Sequence, residues 1–208
     1  MNGPKLKSSP RYHLCAFAGG RPSATPLQAA RHHQRPGPPA VPMPPDLRLM
    51  TPADLPGVAA VQQACYEPDF HEPVESFAAK LQRSPQTCWV ALGKALTAYL
   101  VTLPVSETTF PALHATEWTP PDAPTMLYLH DLAVSPHGQG LRLGERLVAL
   151  AEKAARAMGL RTLALVAVQG SVPYWQRRGF VLTEPRHPAL AAKLASFGGD
   201  ARFMLRQV

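Results

Sequence analysis

The apolar and polar residues of this chain follow two kinds of spacing, which predict strands in some segments and helices in others. Short runs of apolar and β-favouring residues, flanked by turn residues, are typical of strands. Seven segments show this pattern: 47–50, 88–92, 95–103, 126–134, 162–168, 180–183 and 202–208. The run at 126–134 is strongly apolar, as expected of a strand that is buried inside a sheet.

Helical spacing and helix-start signals predict four helices. The first follows Thr51 as N-cap residue and Pro52 at the first helical position, and its apolar residues continue through Val58, Val61 and Ala64. The others are predicted at 74–82, 144–158 and 173–178.

The helix at 144–158 is expected to bury one face. Its apolar residues recur every three or four positions, and Gly159 closes it. The stripe consists of Leu147, Leu150, Ala151, Ala154 and Met158. The order of elements then predicts an α/β fold, a mixed sheet with helices on both faces. The polar, proline-bearing stretch 104–124 predicts a long loop, which is usually functional or mobile.

The first 45 residues differ in composition from the rest. They hold ten of the 24 prolines, six basic side chains and no acidic one. Such a segment buries too little apolar surface to offset the entropy of ordering, so we predict a disordered extension at 1–45 and a folded domain at 46–208. Two interpretations remain open: an organelle transit peptide, or an over-long gene model whose true start is Met43.

Charge and cysteine content exclude several classes of function. The net charge is +7, but residues 46–208 hold 15 basic and 14 acidic side chains, so the domain is nearly neutral and we expect no nucleic-acid binding. No apolar run reaches a membrane-spanning length. The three cysteines show no C-x-x-C spacing and the histidines no metal-ligand spacing, which indicates a cytoplasmic protein with reduced thiols and no metal.

One strand–turn–helix segment, residues 127–158, carries a chemical signal. A turn with glycines leads into a helix N-terminus, where free N–H groups and the helix dipole favour an anion. The turn is neither a Walker P-loop nor a G-x-G-x-x-G dinucleotide motif. Taken alone it is equally compatible with a simple strand-to-helix connection.

The residues of this turn resemble the pyrophosphate loop of the GNAT superfamily of N-acetyltransferases, [RQ]-x-x-G-x-[GA] after a strand ending in V-x-P. The chain has Val134-Ser135-Pro136 and then Gln139-Gly140-Leu141-Arg142-Leu143-Gly144. Farther along, 174–180 is similar to the aromatic-x-x-x-G-F segment of the family. The resemblance covers about 46–208. It implies the GNAT fold, in which two parallel strands, here 127–134 and 162–168, splay apart.

The resemblance implies acetyl-CoA as co-substrate and direct transfer to an amine in a ternary complex. The pantetheine arm would lie between the splayed strands, with backbone N–H groups near Leu132 and Val134 holding the oxyanion. The implied CoA-binding residues are Leu132, Ala133, Val134, Gln139, Gly140, Leu141, Arg142, Leu143, Gly144, Ser171 and Trp175.

Three residues are candidates for proton transfer. His130 is the first candidate for general base, because it sits where family members often carry a glutamate and because an imidazole suits proton abstraction near neutral pH. Asp131 is the second, although strand alternation predicts that it points to the opposite face, while Tyr128 shares the His130 face. The alternative for His130 is a packed polar residue that a neighbour satisfies. Tyr174 is the candidate acid.

Two residues depart from the family pattern. Arg142 stands where a glycine usually allows the backbone to approach the pyrophosphate, so its side chain points outward or the backbone is strained. It either adds a cation for CoA or weakens binding. Trp175 replaces the tyrosine thought to protonate the CoA thiolate, and Tyr174 lies about 100° away around a helix. Arg177 and Arg178 are interpreted as a solvated helix face.

Three functions remain open at this stage. The first is acetylation of a small-molecule amine, where the acids Glu67, Asp69, Glu72 and Glu75 would suit polyamines or aminoglycosides. The second is a protein acetyltransferase acting on lysine or an N-terminus, which needs an open groove. The third is a degenerate module that binds acyl-CoA without turnover. The expected partner is a small-molecule amine, with no nucleic acid or membrane and with a homodimer as one option.

Overall fold

The computed structural model describes residues 44–208, so the predicted extension at 1–45 lies almost wholly outside the described residues. Seven strands form one sheet. They are β1 (Asp46–Leu49), β2 (Cys88–Leu92), β3 (Leu96–Val105), β4 (Met126–Val134), β5 (Thr162–Ala167), β6 (Val181–Leu182) and β7 (Arg202–Gln207). Their order in the sheet is β1-β2-β3-β4-β5-β7-β6. Only β4 and β5 pair in parallel, which confirms the predicted mixed sheet.

The α-helices of the described part are α1 (Leu55–Cys65), α2 (Val74–Arg83), α3 (Leu143–Ala157), α4 (Val172–Gln176) and α5 (Pro188–Ala195). Two apolar cores lie on opposite faces of the sheet. One packs residues of α1, α2 and α5 against it, and the other packs residues of α3 and α4. Helices therefore cover both faces, as predicted. The helix α5 was not predicted from the sequence.

The buried face of α3 differs from the predicted stripe at one end. Leu147 and Ala151 are buried as expected, whereas Met158 is 43% exposed because it follows the last turn as the C-cap residue. Gly159, at φ +74°, donates to Arg156, and the next amide donates to the carbonyl oxygen of Ala155. These two bonds form a Schellman motif, which confirms the predicted glycine stop.

A small polar brace joins β1 to the start of α1. The guanidinium of Arg48 donates two hydrogen bonds of 2.7 Å to the carboxylate of Asp54, and Thr51 donates to the same carboxylate from its backbone and its hydroxyl at 2.8 Å. The hydrogen bond from Arg48 outweighs the opposing effect of burial and lowers the pKa of Asp54 to about 2. The brace fixes the angle at which the chain enters α1.

The described residues contain no helix long and apolar enough to cross a membrane. Within the same residues, no group of three or more His, Cys, Asp and Glu side chains is arranged to hold a metal ion.

Candidate active site

The parallel strands β4 and β5 separate at their carboxyl ends. They are paired only where Leu127–Leu129 faces Leu163–Leu165, and the ladder stops there. On the other side of β4, Ser135 donates to the carbonyl oxygen of Thr97 at 2.8 Å. Along an antiparallel strand, successive N–H groups point alternately toward the partner strand and away from it. Because the N–H of Ser135 points toward β3, the N–H groups of Leu132 and Val134 point away from β3 into the gap. The splay confirms the predicted fold, and the oxyanion role of these two amides stays a prediction.

A β-bulge in β4 places two titratable side chains beside this gap. Asp131 faces Val101 and Leu129 faces Thr102, so His130 is one extra residue in β4. The bulge interrupts the alternation of side chains. His130 reaches Glu72, and Asp131 reaches Tyr66 and Tyr99, all on the side of the sheet that carries α1 and α2. The prediction that Asp131 points to the opposite face from His130 is therefore wrong.

Tyr128 lies on the His130 face, as predicted, with the two ring centroids 5.6 Å apart. The His130 side chain is 1% exposed, so it is enclosed on nearly every side by protein. Its Nε2 lies 2.5 Å from Oε1 of Glu72, the residue just before Pro73 and α2. The remaining ring nitrogen, Nδ1, has no hydrogen-bond partner among residues 44–208.

The Glu72 carboxylate determines which nitrogen of His130 carries the proton. Burial opposes ionisation of Glu72, but the charges and hydrogen bonds of His130 and Lys80 outweigh it and hold its pKa well below the usual range. An ionised carboxylate only accepts hydrogen bonds, so Nε2 of His130 must be the donor. In the neutral ring Nδ1 then carries the lone pair.

A buried lysine holds the other oxygen of Glu72. Lys80 Nζ lies 2.5 Å from Oε2 of Glu72, and its side chain is fully buried. Lys80 also donates to the carbonyl oxygen of Ala115 at 3.1 Å, and Ser76 donates to that oxygen at 2.9 Å. Ser76 and Lys80 thereby connect the long loop between β3 and β4 to the carboxylate that orients His130.

Asp131 is buried and already accepts two hydrogen bonds. The hydroxyls of Tyr66 and Tyr99 donate to its two oxygens at 2.8 and 2.6 Å. Burial raises the pKa of Asp131 despite these bonds, and it raises the pKa of Tyr66 and Tyr99 as well. Tyr66 also lies 2.7 Å from the carbonyl oxygen of Leu132. Asp131 therefore ties the end of α1 to β3 and β4.

A cavity opens at the carboxyl ends of the splayed strands, and we call it the central cavity. His130, Asp131 and Leu132 line it from β4, and Ser171 and Trp175 line it from the start of α4. Further wall residues come from separate segments of the chain: Phe70 before α2, Leu113 in the long loop and Phe197 after α5. The predicted base thus lies in the same cavity as three of the predicted CoA contacts.

A second cleft, the loop cleft, lies at the N-terminus of α3. Most of the predicted pyrophosphate residues line it: Val134, Gln139, Gly140, Arg142, Leu143 and Gly144. Two predicted CoA contacts line neither cavity. Ala133 is buried in the core beneath α1 and α2, and Leu141 is 45% exposed. Their positions in the sequence motif do not bring their side chains to the cleft.

Arg142 adopts a left-handed backbone conformation, which glycine accepts more readily than other residues. Its φ and ψ are 54° and 28°, in the left-handed region that a side chain disfavours. The side chain is 79% exposed and pairs with the Glu145 carboxylate at 2.7 Å. Both expectations for this residue hold, because the side chain points outward and the backbone is strained. Gly140, at φ +79°, adopts a similar conformation.

The two aromatic residues of α4 line different cavities. Trp175 lines the central cavity, whereas Tyr174 lines the loop cleft. A Cβ atom at Gly144 would lie 2.7 Å from the Tyr174 hydroxyl, so that hydroxyl occupies the space the glycine leaves. Burial raises the pKa of Tyr174. The structure therefore places Tyr174 beside the loop, not beside His130, and does not favour it as the acid.

Arg178 also lies at the loop cleft, whereas Arg177 is exposed as predicted. The Arg178 guanidinium stacks on Tyr174 at 3.4 Å from the ring centroid and pairs with Glu145 at 3.3 Å. The interpretation of Arg178 as part of a solvated helix face is wrong. A basic residue next to a short predicted helix gave no sequence signal for this packing.

Comparison with known proteins agrees with this geometry. Residues 55–180 match the model of the Acetyltransferase (GNAT) family. No curated protein matches the chain. Similar structures include Ard1 from Thermoplasma volcanium, at 15% identity and a TM-score of 0.58, covering 78% of this chain and 97% of that one.

Similar structures that were solved with a CoA compound include an N-acetyltransferase and a decarboxylase. The PaiA N-acetyltransferase from Thermoplasma acidophilum, in complex with coenzyme A, has 15% identity and a TM-score of 0.55 over 78% of this chain and 98% of that one. The GphF GNAT-like decarboxylase in complex with isobutyryl-CoA has 15% identity and a TM-score of 0.61, with coverage of 78% and 98%. At these identities the likeness supports the fold alone.

Proposed function

Because the chain belongs to the GNAT acetyltransferase family, we propose that it transfers the acetyl group of acetyl-CoA directly to the amine of a small molecule, with His130 as general base. One observation carries the proposal. His130 has one ring nitrogen held by a buried carboxylate and the other without a partner in the described chain, and it lines a cavity at the gap between β4 and β5.

The loop cleft fits the pyrophosphate of acetyl-CoA. It lies at the N-terminus of a 15-residue helix, where amide groups favour an anion. Gly140 has no atom within 4 Å of where a Cβ would stand, so the backbone there is open to a ligand. Arg142 and Arg178 add two cations at the cleft. When bound, acetyl-CoA would supply the activated acetyl group.

The proton and charge steps are assigned to residues of the chain. Nδ1 of His130 takes a proton from the acceptor ammonium, directly or through a relaying water, which frees the amine lone pair for attack on the thioester carbonyl. As the new carbon–nitrogen bond forms, the carbon–sulfur bond of the thioester would break, and the CoA thiolate that leaves would take up the second proton lost by the amine nitrogen. Glu72 then stabilises the imidazolium through Nε2. The N–H groups of Leu132 and Val134 hold the oxygen that becomes negative during transfer.

The shape of the central cavity favours a small acceptor over a protein segment. Phe70, Leu113 and Phe197 enter the wall from three separate segments of the chain. A lysine or an N-terminus carried on a folded protein requires an open groove, which these side chains would narrow. The degenerate-module interpretation is disfavoured because the side chain of Arg142 is 79% exposed and points away from the backbone of the loop, so it does not fill the place of the pyrophosphate.

The proposal is tested by the variant H130Q, with H137Q as matched control, because His137 is an exposed histidine in the turn after β4. For wild type and both variants, saturating acetyl-CoA at about 100 times its dissociation constant should add about 2.7 kcal/mol of stability in thermal unfolding. With a panel of primary amines, H130Q should lose about 10²- to 10⁴-fold in kcat. The variant H137Q should keep it.

Two results would contradict the proposal. Wild-type turnover by H130Q would remove the base role. No stabilisation of the wild type by millimolar acetyl-CoA would show that the loop cleft does not hold the cofactor, and the chain would then be a degenerate member of its family.

A further inference from the structure

The two carboxylates of the central cavity, Glu72 and Asp131, are already paired inside the protein, and this limits what an acceptor can carry. We infer that the acceptor is a primary monoamine on an apolar body, without a carboxylate, a phosphate or a second cationic group. The inference rests on the proposed function and adds the acceptor class to it.

An anionic acceptor finds no unpaired cation in the central cavity, because Glu72 already balances any charge on His130. Among the described residues that line it, none is a lysine or an arginine. Lys80 lies close by, but it is fully buried and bound to Glu72 and to the carbonyl oxygen of Ala115. A carboxylate brought into the cavity would therefore lose water without gaining an ionic partner.

A polycationic acceptor also lacks partners. Of the four acids predicted to suit polyamines, only Glu72 lines the central cavity, and its oxygens are taken by His130 and Lys80. The other three, Glu67, Asp69 and Glu75, are exposed and outside the lining. Asp131 lines the cavity, but two tyrosine hydroxyls already occupy its oxygens.

Apolar and aromatic side chains form the rest of the wall. Phe70, Tyr128, Trp175 and Phe197 contribute rings, and Leu113 contributes an aliphatic group. Such a wall favours an apolar body, and aromatic faces attract a single ammonium group before it loses its proton. A single amine on an apolar body fits a cavity whose described lining has no lysine or arginine, whose carboxylates are paired, and whose remaining wall is apolar.

Matched pairs of amines test the inference with wild-type enzyme and acetyl-CoA. 2-Phenylethylamine and L-phenylalanine differ by one carboxylate, and hexylamine and 1,6-diaminohexane differ by one amine. We expect kcat/KM to be at least 100-fold higher for 2-phenylethylamine than for L-phenylalanine. For hexylamine we expect it to be at least 10-fold higher than for the diamine. A short peptide with a free N-terminus is included as a third acceptor type.

The variant L113R places a cation in the wall on a half-buried loop residue. It should reduce the preference for 2-phenylethylamine over L-phenylalanine by at least 10-fold. The control L182R adds the same charge on β6 at the sheet edge, where Leu182 is 52% exposed, and should leave the preference unchanged.

The outcomes separate the inference from the proposed function. Faster acetylation of L-phenylalanine, the diamine or the peptide would overturn the monoamine inference while the enzyme remains an N-acetyltransferase. No acetylation of any amine, despite stabilisation by acetyl-CoA, would overturn the proposed function and the inference with it.

Discussion

The strained backbone at Arg142 predicts that a substitution by glycine, which usually destabilises a helix, stabilises the fold at this position. Arg142 adopts a φ of 54° at the N-cap of α3, where glycine carries no steric penalty. The side chain is 79% exposed and pairs only with Glu145, which is itself 41% exposed. The variant R142G therefore removes a strained conformation and little else from the folded state.

The expected gain follows from three opposing contributions. Relief of the left-handed conformation stabilises the fold by about 1–2 kcal/mol. The greater freedom of glycine in the unfolded chain costs about 0.4–1 kcal/mol. Loss of the exposed ion pair costs about 0.3 kcal/mol. The sum is a small net stabilisation, about 0.5 kcal/mol.

The variant R146G is the matched control. Arg146 is exposed on the first turn of α3, so the same loss of side chain and charge occurs inside a helix. Glycine at position 146 should destabilise the folded protein by about 1 kcal/mol. The two variants should therefore differ by about 1.5 kcal/mol, or roughly 3–6 °C in Tm.

Thermal unfolding without ligand, checked by urea titration, measures this difference. Equal destabilisation by R142G and R146G would refute the reasoning, because it would mean that Arg142 carries no backbone strain in the folded protein. A higher Tm for R142G than for wild type, together with a lower Tm for R146G, would agree with it.

Further predictions concern the loop cleft and the brace at β1. The Glu145 carboxylate competes with an anion for two arginines, so E145Q should tighten CoA binding about 2- to 5-fold by calorimetry, and unchanged or weaker affinity would contradict this. The variant G144A should cost about 1–3 kcal/mol against the Tyr174 hydroxyl, and adding Y174F should restore most of it in a double-mutant cycle. The variant D54N should destabilise by about 1–2 kcal/mol at pH 7. Because folding lowers the pKa of Asp54 to about 2, that difference should persist down to about pH 4 and shrink as the pH falls toward 2 in urea titrations.

Local patterns were sufficient to predict most of the fold. The strand Met126–Val134 has the predicted bounds, because a long apolar run between turn residues has few alternatives. The stop at Gly159 was also predictable, since few residues other than glycine accept a φ of +74°. Both features depend on residues that are neighbours in sequence.

Helix α5 shows where local patterns fail. Pro188–Ala195 is rich in alanine, and Leu190 is its only fully buried residue. With one buried position there is no stripe for periodicity to detect. His187, which caps the helix by accepting from the amide of Ala189, is not among the usual N-cap residues. The helix is thus held by Leu190, by the partly buried Leu194 that packs against the same core, and by its cap.

Most of the candidate active site could not be predicted from local patterns, because it depends on contacts between residues that are far apart in the sequence. A family motif points to His130, but its partner Glu72 lies 58 residues earlier and is predicted only as one of four acids that would suit polyamines or aminoglycosides. Lys80 was not identified at all, since an isolated lysine on a predicted amphipathic helix normally points to water. Only the packing of α2 against the sheet buries both charges together, so that each one offsets the desolvation of the other.

The bulge at His130 brings two adjacent side chains of β4 to one side of the sheet. In a regular strand, adjacent side chains would point to opposite faces, and His130 and Asp131 would not lie on one side. With one extra residue in β4, both side chains meet groups on the side of α1 and α2. The interpretation of His130 as a packed residue with a neighbouring partner agrees with Nε2, which is hydrogen-bonded to Glu72. The proposed general base is Nδ1, which lacks a hydrogen-bond partner in the described chain. The two interpretations therefore concern different nitrogens of one ring. Because the Glu72 carboxylate accepts a hydrogen bond from Nε2, the lone pair of the neutral ring lies on Nδ1, the atom proposed to accept the proton.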